Sequence, residues 1–159
     1  MSTIDKIVMQ EAIKLARIAA EKEEVPIGAV ITHKNNIIAR AHNQVEMLKD
    51  PTAHAEMIAI TQATNYLAAK WLQECTLYVT IEPCSMCAGA LVLARLGRLY
   101  FGAEEPKTGA CGSVMNIAQH KQLNHSVDVQ GGVLAAECGG LVSDFFRKKR
   151  RGGRVADCK

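Results

Sequence analysis

The sequence predicts an α/β protein: a three-layer α/β/α arrangement around a five-stranded mixed sheet, all within one domain. Three observations carry this. An apolar stripe near the start recurs at helical spacing, and a central run is β-branched or aromatic almost throughout. After a pair of consecutive strands, helices then alternate with three more strands. The chain has 159 residues, 48% of them hydrophobic and 22% charged, which is enough apolar material for one compact core.

Taken in order, Ile4, Val8, Ala12, Leu15 and Ala19 fall on one face of a first helix that Ser2 or Thr3 can cap. Glu21-Lys22-Glu23-Glu24 and Pro26 end it. Residues 27–32 and 37–41 read as two strands. Lys34-Asn35-Asn36 between them suits a tight hairpin, because Asn tolerates positive φ. Pro51 is placed to open a helix from Thr52 to about Tyr66. The clearest strand is Thr76-Leu77-Tyr78-Val79-Thr80-Ile81, whose continuous apolar character predicts burial on both faces. Pro83 stops it, and residues 87–96, rich in Ala, Gly, Leu and Val, read as a buried helix. Residues 99–101 and 127–129 are short strands, separated by a loop with a helical turn around 114–118. A terminal helix covers 134–146, weakened by Gly139-Gly140. The domain therefore occupies residues 1–150, and 151–159 form a basic, flexible tail.

Composition narrows the setting. The six cysteines do not form a disulfide framework: Cys84 and Cys87 make a C-x-x-C, Cys75 and Cys138 sit in apolar contexts as buried thiols, and Cys158 is a tail residue. Met1 leads into Ser2-Thr3-Ile4-Asp5-Lys6 with no apolar core or cleavage site, so no signal peptide is expected. No stretch approaches membrane-spanning length. A reducing cytoplasm is the expected location. The net charge of +3 is uneven: from Arg147 onward seven Lys/Arg face only Asp157, a net +6, which leaves −3 on residues 1–146. That asymmetry fits a polyanionic partner such as nucleic acid, and equally a solvated chain end.

The chemistry is concentrated in His54-Ala55-Glu56 and Pro83-Cys84-Ser85-Met86-Cys87, separated by residues 57–82. One imidazole and two thiols supply three zinc ligands. Tetrahedral zinc takes four, so a position stays open for water. Glu56 is close enough in sequence to move a proton on and off that water. A lone C-x-x-C is a weak signal, but H-x-E followed by P-C-x-x-C at this distance is the recognised signature of zinc-dependent nucleobase deaminases. A closed structural site would need a fourth ligand folded back from Cys75, Cys111 or Cys138. Cys84 and Cys87 lie across a strand-to-helix junction, where the positive helix end favours thiolates. Glu56 stands two residues from His54 at the start of the other helix, so it faces the metal from a different direction than a ligand does.

The residues 52–56, 76–90 and Ser143-Asp144-Phe145-Phe146-Arg147 resemble the bacterial tRNA adenosine deaminase family of the cytidine deaminase-like superfamily. Val25-Pro26-Ile27-Gly28-Ala29-Val30 and Lys107-Thr108-Gly109-Ala110 share the resemblance, which runs from the first helix to about Arg150. It implies a cytidine deaminase-like fold and a homodimer with one Zn2+ per subunit, held by His54, Cys84 and Cys87. It also implies hydrolytic deamination of the wobble adenosine of an arginine tRNA anticodon stem-loop to inosine, with Glu56 carrying the proton to the base. Substrate contacts fall on Asn43, Ile27, Ala55, Asn124, His125, Phe145, Phe146 and Arg147. Read alone, Asn43 is a turn cap, Asn124-His125 are turn residues, and at least one of the two phenylalanines belongs to the core. Glu104-Glu105 departs from the Asp that many relatives carry before Pro-Lys, keeping a carboxylate on a chain one methylene longer. Two other readings share the motifs: a free-base or nucleoside deaminase acting on guanine or cytosine, and a noncatalytic zinc-stabilised RNA-binding subunit. The Phe-Phe-Arg end argues against the first and Glu56 against the second.

Overall fold

The computed structural model describes residues 2–152; Cys158 and the basic residues Arg154 and Lys159 lie outside them. The elements are α1 (Thr3–Glu21), β1 (Gly28–His33), β2 (Asn36–His42), α2 (Val45–Leu48), α3 (Ala55–Leu67), β3 (Cys75–Ile81), α4 (Ser85–Leu93), β4 (Arg98–Ala103), β5 (Asp128–Gln130) and α5 (Ala135–Arg151). The sheet order is β2-β1-β3-β4-β5. β1 is antiparallel to both β2 and β3, whereas β3, β4 and β5 run parallel. Helices α1 and α5 cover one face, while α3 and α4 pack together on the other. The three-layer fold and the five-stranded mixed sheet are as predicted.

Strand alternation divides the core. Ala29 and Ile31 of β1, Leu77, Val79 and Ile81 of β3, and Leu99 and Phe101 of β4 point towards the α3–α4 layer. Val30, Tyr78 and Tyr100 point the other way, against Val8, Met9, Ala12 and Ile13 of α1 and Cys138 of α5. This two-sided burial explains the unbroken apolar run of β3, the central strand. Helix α1 lies so close to β1 that a side chain at Gly28 would run into the Ala12 carbonyl oxygen, and Gly102 admits Cys138 of α5 in the same way.

Local chemistry adjusts several predicted boundaries. Lys34 and Asn35 both have positive φ, 51° and 65°, and form the hairpin turn. Pro51 does not open α3. Asp50 Oδ1 accepts from Thr52 N–H at 2.8 Å and from Thr52 Oγ1–H at 2.7 Å, closing a turn before the helix begins. Helix α4 starts at Ser85 rather than Cys87 and ends earlier, with Arg95 in a left-handed conformation. The segment 114–118 forms turns and a bridge between Cys111 and Asn116, not a helical turn. Helix α5 runs through Gly139 and Gly140 to Arg151 because one flank packs on the sheet. Its last turn carries Lys148, Lys149, Arg150 and Arg151, cations favoured at a helix C-terminus. Arg151, assigned to the tail from sequence, is therefore helical. The short helix α2 has no counterpart in the sequence reading.

The α1 layer is fastened by a buried polar group. Ser2 and Asp5 form a reciprocal capping box, and Tyr78 donates from its hydroxyl to Asp5 Oδ1 at 2.7 Å. Tyr78 stacks on Tyr100, whose hydroxyl accepts from Arg98. Burial pushes the Asp5 carboxyl up, but donation by the Ser2 backbone, the Tyr78 hydroxyl and the Ser2 hydroxyl outweighs it and holds the group below its ordinary value of 3.8. A Tyr78→Phe variant is expected to lose about 1–2 kcal/mol of stability in urea unfolding at neutral pH. Because Asp5 is depressed in the folded state, its contribution is full above 3.8 and fades as pH falls through the lower folded value. Unfolding of wild type and Asp5→Asn should therefore converge in acid; a gap that stays constant from neutral pH to the acid limb would contradict this.

Candidate active site

One edge of the sheet gathers every element that carries the motifs. β1 begins there at Gly28, β2 ends there at His42, β3 ends there at Ile81 and β4 at Ala103. Helices α3 and α4 both start at this edge, so two positive helix ends face the same point. His54 caps α3 with an extended backbone (φ −75°, ψ 151°), and Cys84 occupies the same place before α4. The reading that His54 opens the helix is thus shifted by one residue: the helix starts at Ala55.

His54 Nδ1 lies 3.6 Å from both Cys84 Sγ and Cys87 Sγ. The three ligand atoms fall within 4.8 Å of one another, the one His/Cys/Asp/Glu cluster among the described residues that fits a metal ion. Two soft sulfurs and an imidazole nitrogen suit zinc. Cys75, Cys111 and Cys138 do not join the cluster, so no fourth protein ligand closes it among the described residues. Cys138 lies on the other sheet face and Cys75 at the far end of β3. Cys111 is not part of the cluster; burial pushes its thiol up to about 12, and the charges of Glu82, Glu56 and Cys84 add to this.

Glu56, 1% exposed, stands at the second position of α3, and its Oε1 is buried without a hydrogen-bond partner. Such an atom is costly unless something binds there. Asn43 is also 1% exposed. Its Oδ1 accepts from Ala55 N–H at 2.9 Å, and its Nδ2 is the second buried polar atom left unsatisfied. This bond ties Asn43 to the start of α3, at the residue between His54 and Glu56. Ile27 completes this corner: its carbonyl accepts from Asn43 N–H at 3.1 Å, and it is buried at the start of β1. The structure therefore brings together His54, Ala55, Glu56, Cys84, Cys87, Asn43 and Ile27.

The remaining predicted contacts lie elsewhere. Asn124 is exposed, and the His125 ring bonds the Leu96 carbonyl at 2.6 Å, at the opposite end of α4 from the cysteines. On α5, Phe145 is buried, Phe146 is half-buried edge-on to it, and Lys149 lies 5.5 Å over the Phe145 ring. Arg147 is exposed and paired with Asp144 at 2.8 Å.

Two groups at the site were missed by sequence reasoning. Glu24, 2% exposed, accepts from Glu46 N–H at 2.9 Å and Met47 N–H at 2.8 Å, holding the α2 segment that follows Asn43. Glu82, fully buried just before Pro83, accepts from the N–H groups of Glu105, Cys111 and Ser113 and from the Ser113 hydroxyl. Burial pushes the Glu82 carboxyl up, but these donors together hold it below the usual carboxylate range. Its place directly before P-C-x-x-C was the only available signal. Glu105, the departure noted in the sequence, turns its own carboxylate back to accept from Lys107 N–H at 3.0 Å.

Comparison with known proteins agrees with this geometry. A family profile of MafB19-like deaminases matches residues 4–150. The chain is 50% identical over 154 residues to the tRNA-specific adenosine deaminase of Bacillus subtilis (strain 168), covering 97% of this chain and 96% of that one. A solved structure from work on A-to-I editing by tRNA:A34 deaminases at the wobble position superposes with a TM-score of 0.81. It is 42% identical, with 84% of this chain and 96% of the other covered. Guanine deaminase from Bacillus subtilis is 39% identical over a smaller share, 65% of this chain and 66% of its own, with a TM-score of 0.60. The cluster makes its own prediction. Elemental analysis should show the metal content of His54→Ala, Cys84→Ala and Cys87→Ala falling at least about tenfold, since metal binding requires the full donor set. Cys138→Ser and Cys75→Ser should retain the wild-type content.

Proposed function

This chain belongs to the MafB19-like deaminase family and to the tRNA-specific adenosine deaminases; from that membership we propose that it deaminates the wobble adenosine of a tRNA anticodon loop to inosine, with an arginine tRNA as substrate. The observation that carries the reading is the unpartnered Glu56 Oε1, buried beside a three-donor metal cluster. A structural site or a pure binding module has no use for an unsatisfied acid at that place.

His54 Nδ1, Cys84 Sγ and Cys87 Sγ would hold one zinc per subunit. When bound, it supplies Lewis acidity that brings the pKa of water from about 16 towards 7. Two thiolates roughly cancel its charge, which suits a neutral base. Glu56 takes the proton of the attacking water on its carboxylate, delivers it to the purine ring nitrogen and then assists departure of ammonia. Asn43 Nδ2, with no partner among the described residues, donates to the target nucleoside, and Ile27 and the Ala55 backbone wall the base. A purine can reach such a buried acid only when unstacked from its neighbours, so the substrate is a loop or single-stranded nucleotide. Phe145, Phe146 and Arg147 on α5, together with Asn124 and His125, meet the rest of the anticodon loop. No helix among the described residues is long and apolar enough to cross a membrane, and a reducing cytoplasm keeps Cys84 and Cys87 available to zinc.

The protein acts as a homodimer. Its α4 surface leaves Leu93 81% exposed, and a Cβ added at Gly89 would meet nothing, so this face has apolar area and room for a second copy. A Leu93→Glu change is expected to shift sedimentation towards monomer; an unchanged dimer would place the interface elsewhere.

The function is tested by following inosine at the wobble position of an adenosine-containing arginine tRNA, with free adenosine, cytidine and guanine alongside. Inosine should form in the tRNA alone. Glu56→Ala should lower turnover by at least about 10²–10⁴-fold while zinc content stays unchanged. Ammonia from guanine with none from tRNA would instead assign the chain to free-base chemistry.

A further inference from the structure

We propose that Glu82 is a positioning residue, whose buried carboxylate fixes the loop from Glu104 to Ser113 as a wall of the active site; the inference rests on the deaminase reading above. Glu82 directly follows β3 and precedes Pro83 of the cysteine motif, and it is fully buried. Its Oε1 accepts from Glu105 N–H at 3.1 Å and from the Ser113 hydroxyl. Its Oε2 accepts from Cys111 N–H at 3.0 Å and Ser113 N–H at 3.1 Å. Among the described residues no side-chain cation pairs with it, and the carboxylate is held by backbone donors and one hydroxyl of a single loop. A buried carboxylate satisfied in this way is a strong local tether, because each charge-assisted bond exceeds a neutral one.

The loop is shaped to receive it. A Cβ at Gly109 would collide with the Glu82 carboxylate. Ala110 N–H donates to the Pro83 carbonyl at 2.9 Å, so the loop is stitched to two successive residues before Cys84. The tether seats Cys111, buried, next to Ala110, whose bond to the Pro83 carbonyl brings the loop to the residue before Cys84. The metal ligands and Glu56 instead depend on the starts of α3 and α4. Loosening the loop should therefore leave the reacting groups in place and weaken the enclosure of the substrate.

Glu82→Gln separates these roles. The amide keeps the shape but turns one acceptor into a donor aimed at N–H groups. Zinc content should stay at one per chain. Hydrogen exchange of the Cys111 and Ser113 amides should accelerate at least about tenfold, as a local opening without global unfolding. On an anticodon stem-loop, KM should rise about tenfold with kcat changed by less than about threefold, the signature of lost binding rather than lost chemistry. Ser113→Ala, which removes a single donor, should move both readouts in the same direction by less and covers the case in which Glu82→Gln fails to fold. Loss of zinc in parallel with activity would overturn the proposal, showing that Glu82 props the metal strand; so would unchanged exchange, or a fall in kcat at constant KM. If the wild-type protein leaves the stem-loop unmodified while the exchange difference appears, the tether stands and the substrate assignment fails.

Discussion

Because β3 pairs antiparallel with β1 through Ala29 and Val79, and parallel with β4 through Val79 and Phe101, one strand end locates every group at the site. The parallel pairing with β4 requires a crossover, and α4 supplies it, so Cys84 and Cys87 lie where β3 stops and the helix begins. The antiparallel hairpin of β1 and β2 returns Asn43 to the same edge. Pro83 cannot donate to a neighbouring strand, which makes the stop sharp. The two glycines at 28 and 102 let α1 and α5 press on the opposite face, holding the sheet from behind. The site is thus a consequence of strand register and of two close helix contacts on the far side.

Buried carboxylates show how the fold separates support from chemistry. Asp5, Glu24 and Glu82 are each buried and each engaged: Asp5 by a cap and a tyrosine hydroxyl, Glu24 by two N–H groups of α2, Glu82 by the loop after β4. Each fastens one segment of backbone to the sheet or to its edge. Glu56 has the same burial, yet its Oε1 has no partner. An unsatisfied buried acceptor costs on the order of 1–3 kcal/mol, a cost that a stable fold carries where a ligand or a proton will occupy the atom. Asn43 repeats the pattern in one side chain, with Oδ1 spent on the α3 start and Nδ2 left over.

The layers and the His/Cys/Cys cluster were legible in the sequence because both are written in short-range pattern. A β-branched and aromatic run, helical spacing and the cysteine spacing need no distant partner to be read; β3 lies where it was expected, and His54, Cys84 and Cys87 fall together in one cluster. Pro51 misled because the competing turn at Asp50 is a side-chain effect, invisible to propensity. The helix expected through Gly139-Gly140 is present and runs five residues further than read, to Arg151, because tertiary packing overrides the weak helix preference of glycine. Glu24, Glu82 and the short α2 stayed hidden for a common reason. Their partners are backbone N–H groups 22 to 31 residues away, and a backbone donor has no sequence signature.

The basic end of the chain illustrates how one run of residues satisfies two demands. Arg147 to Arg151 are all helical, and four of them form the last turn of α5, where positive charge offsets the exposed carbonyls of the helix end. The buried ring of Phe145 holds this turn to the body, with Lys149 lying over the ring. Cations that would otherwise be a solvated chain end are therefore presented in fixed geometry. Arg147, on the exposed side, is already paired with Asp144, so a phosphate meeting this helix would compete with that carboxylate before gaining the guanidinium. An exposed pair of this kind contributes roughly 0–1 kcal/mol, less than a charge-assisted phosphate contact returns. The pair thus orders the arginine in the free protein without preventing its use on a polyanion.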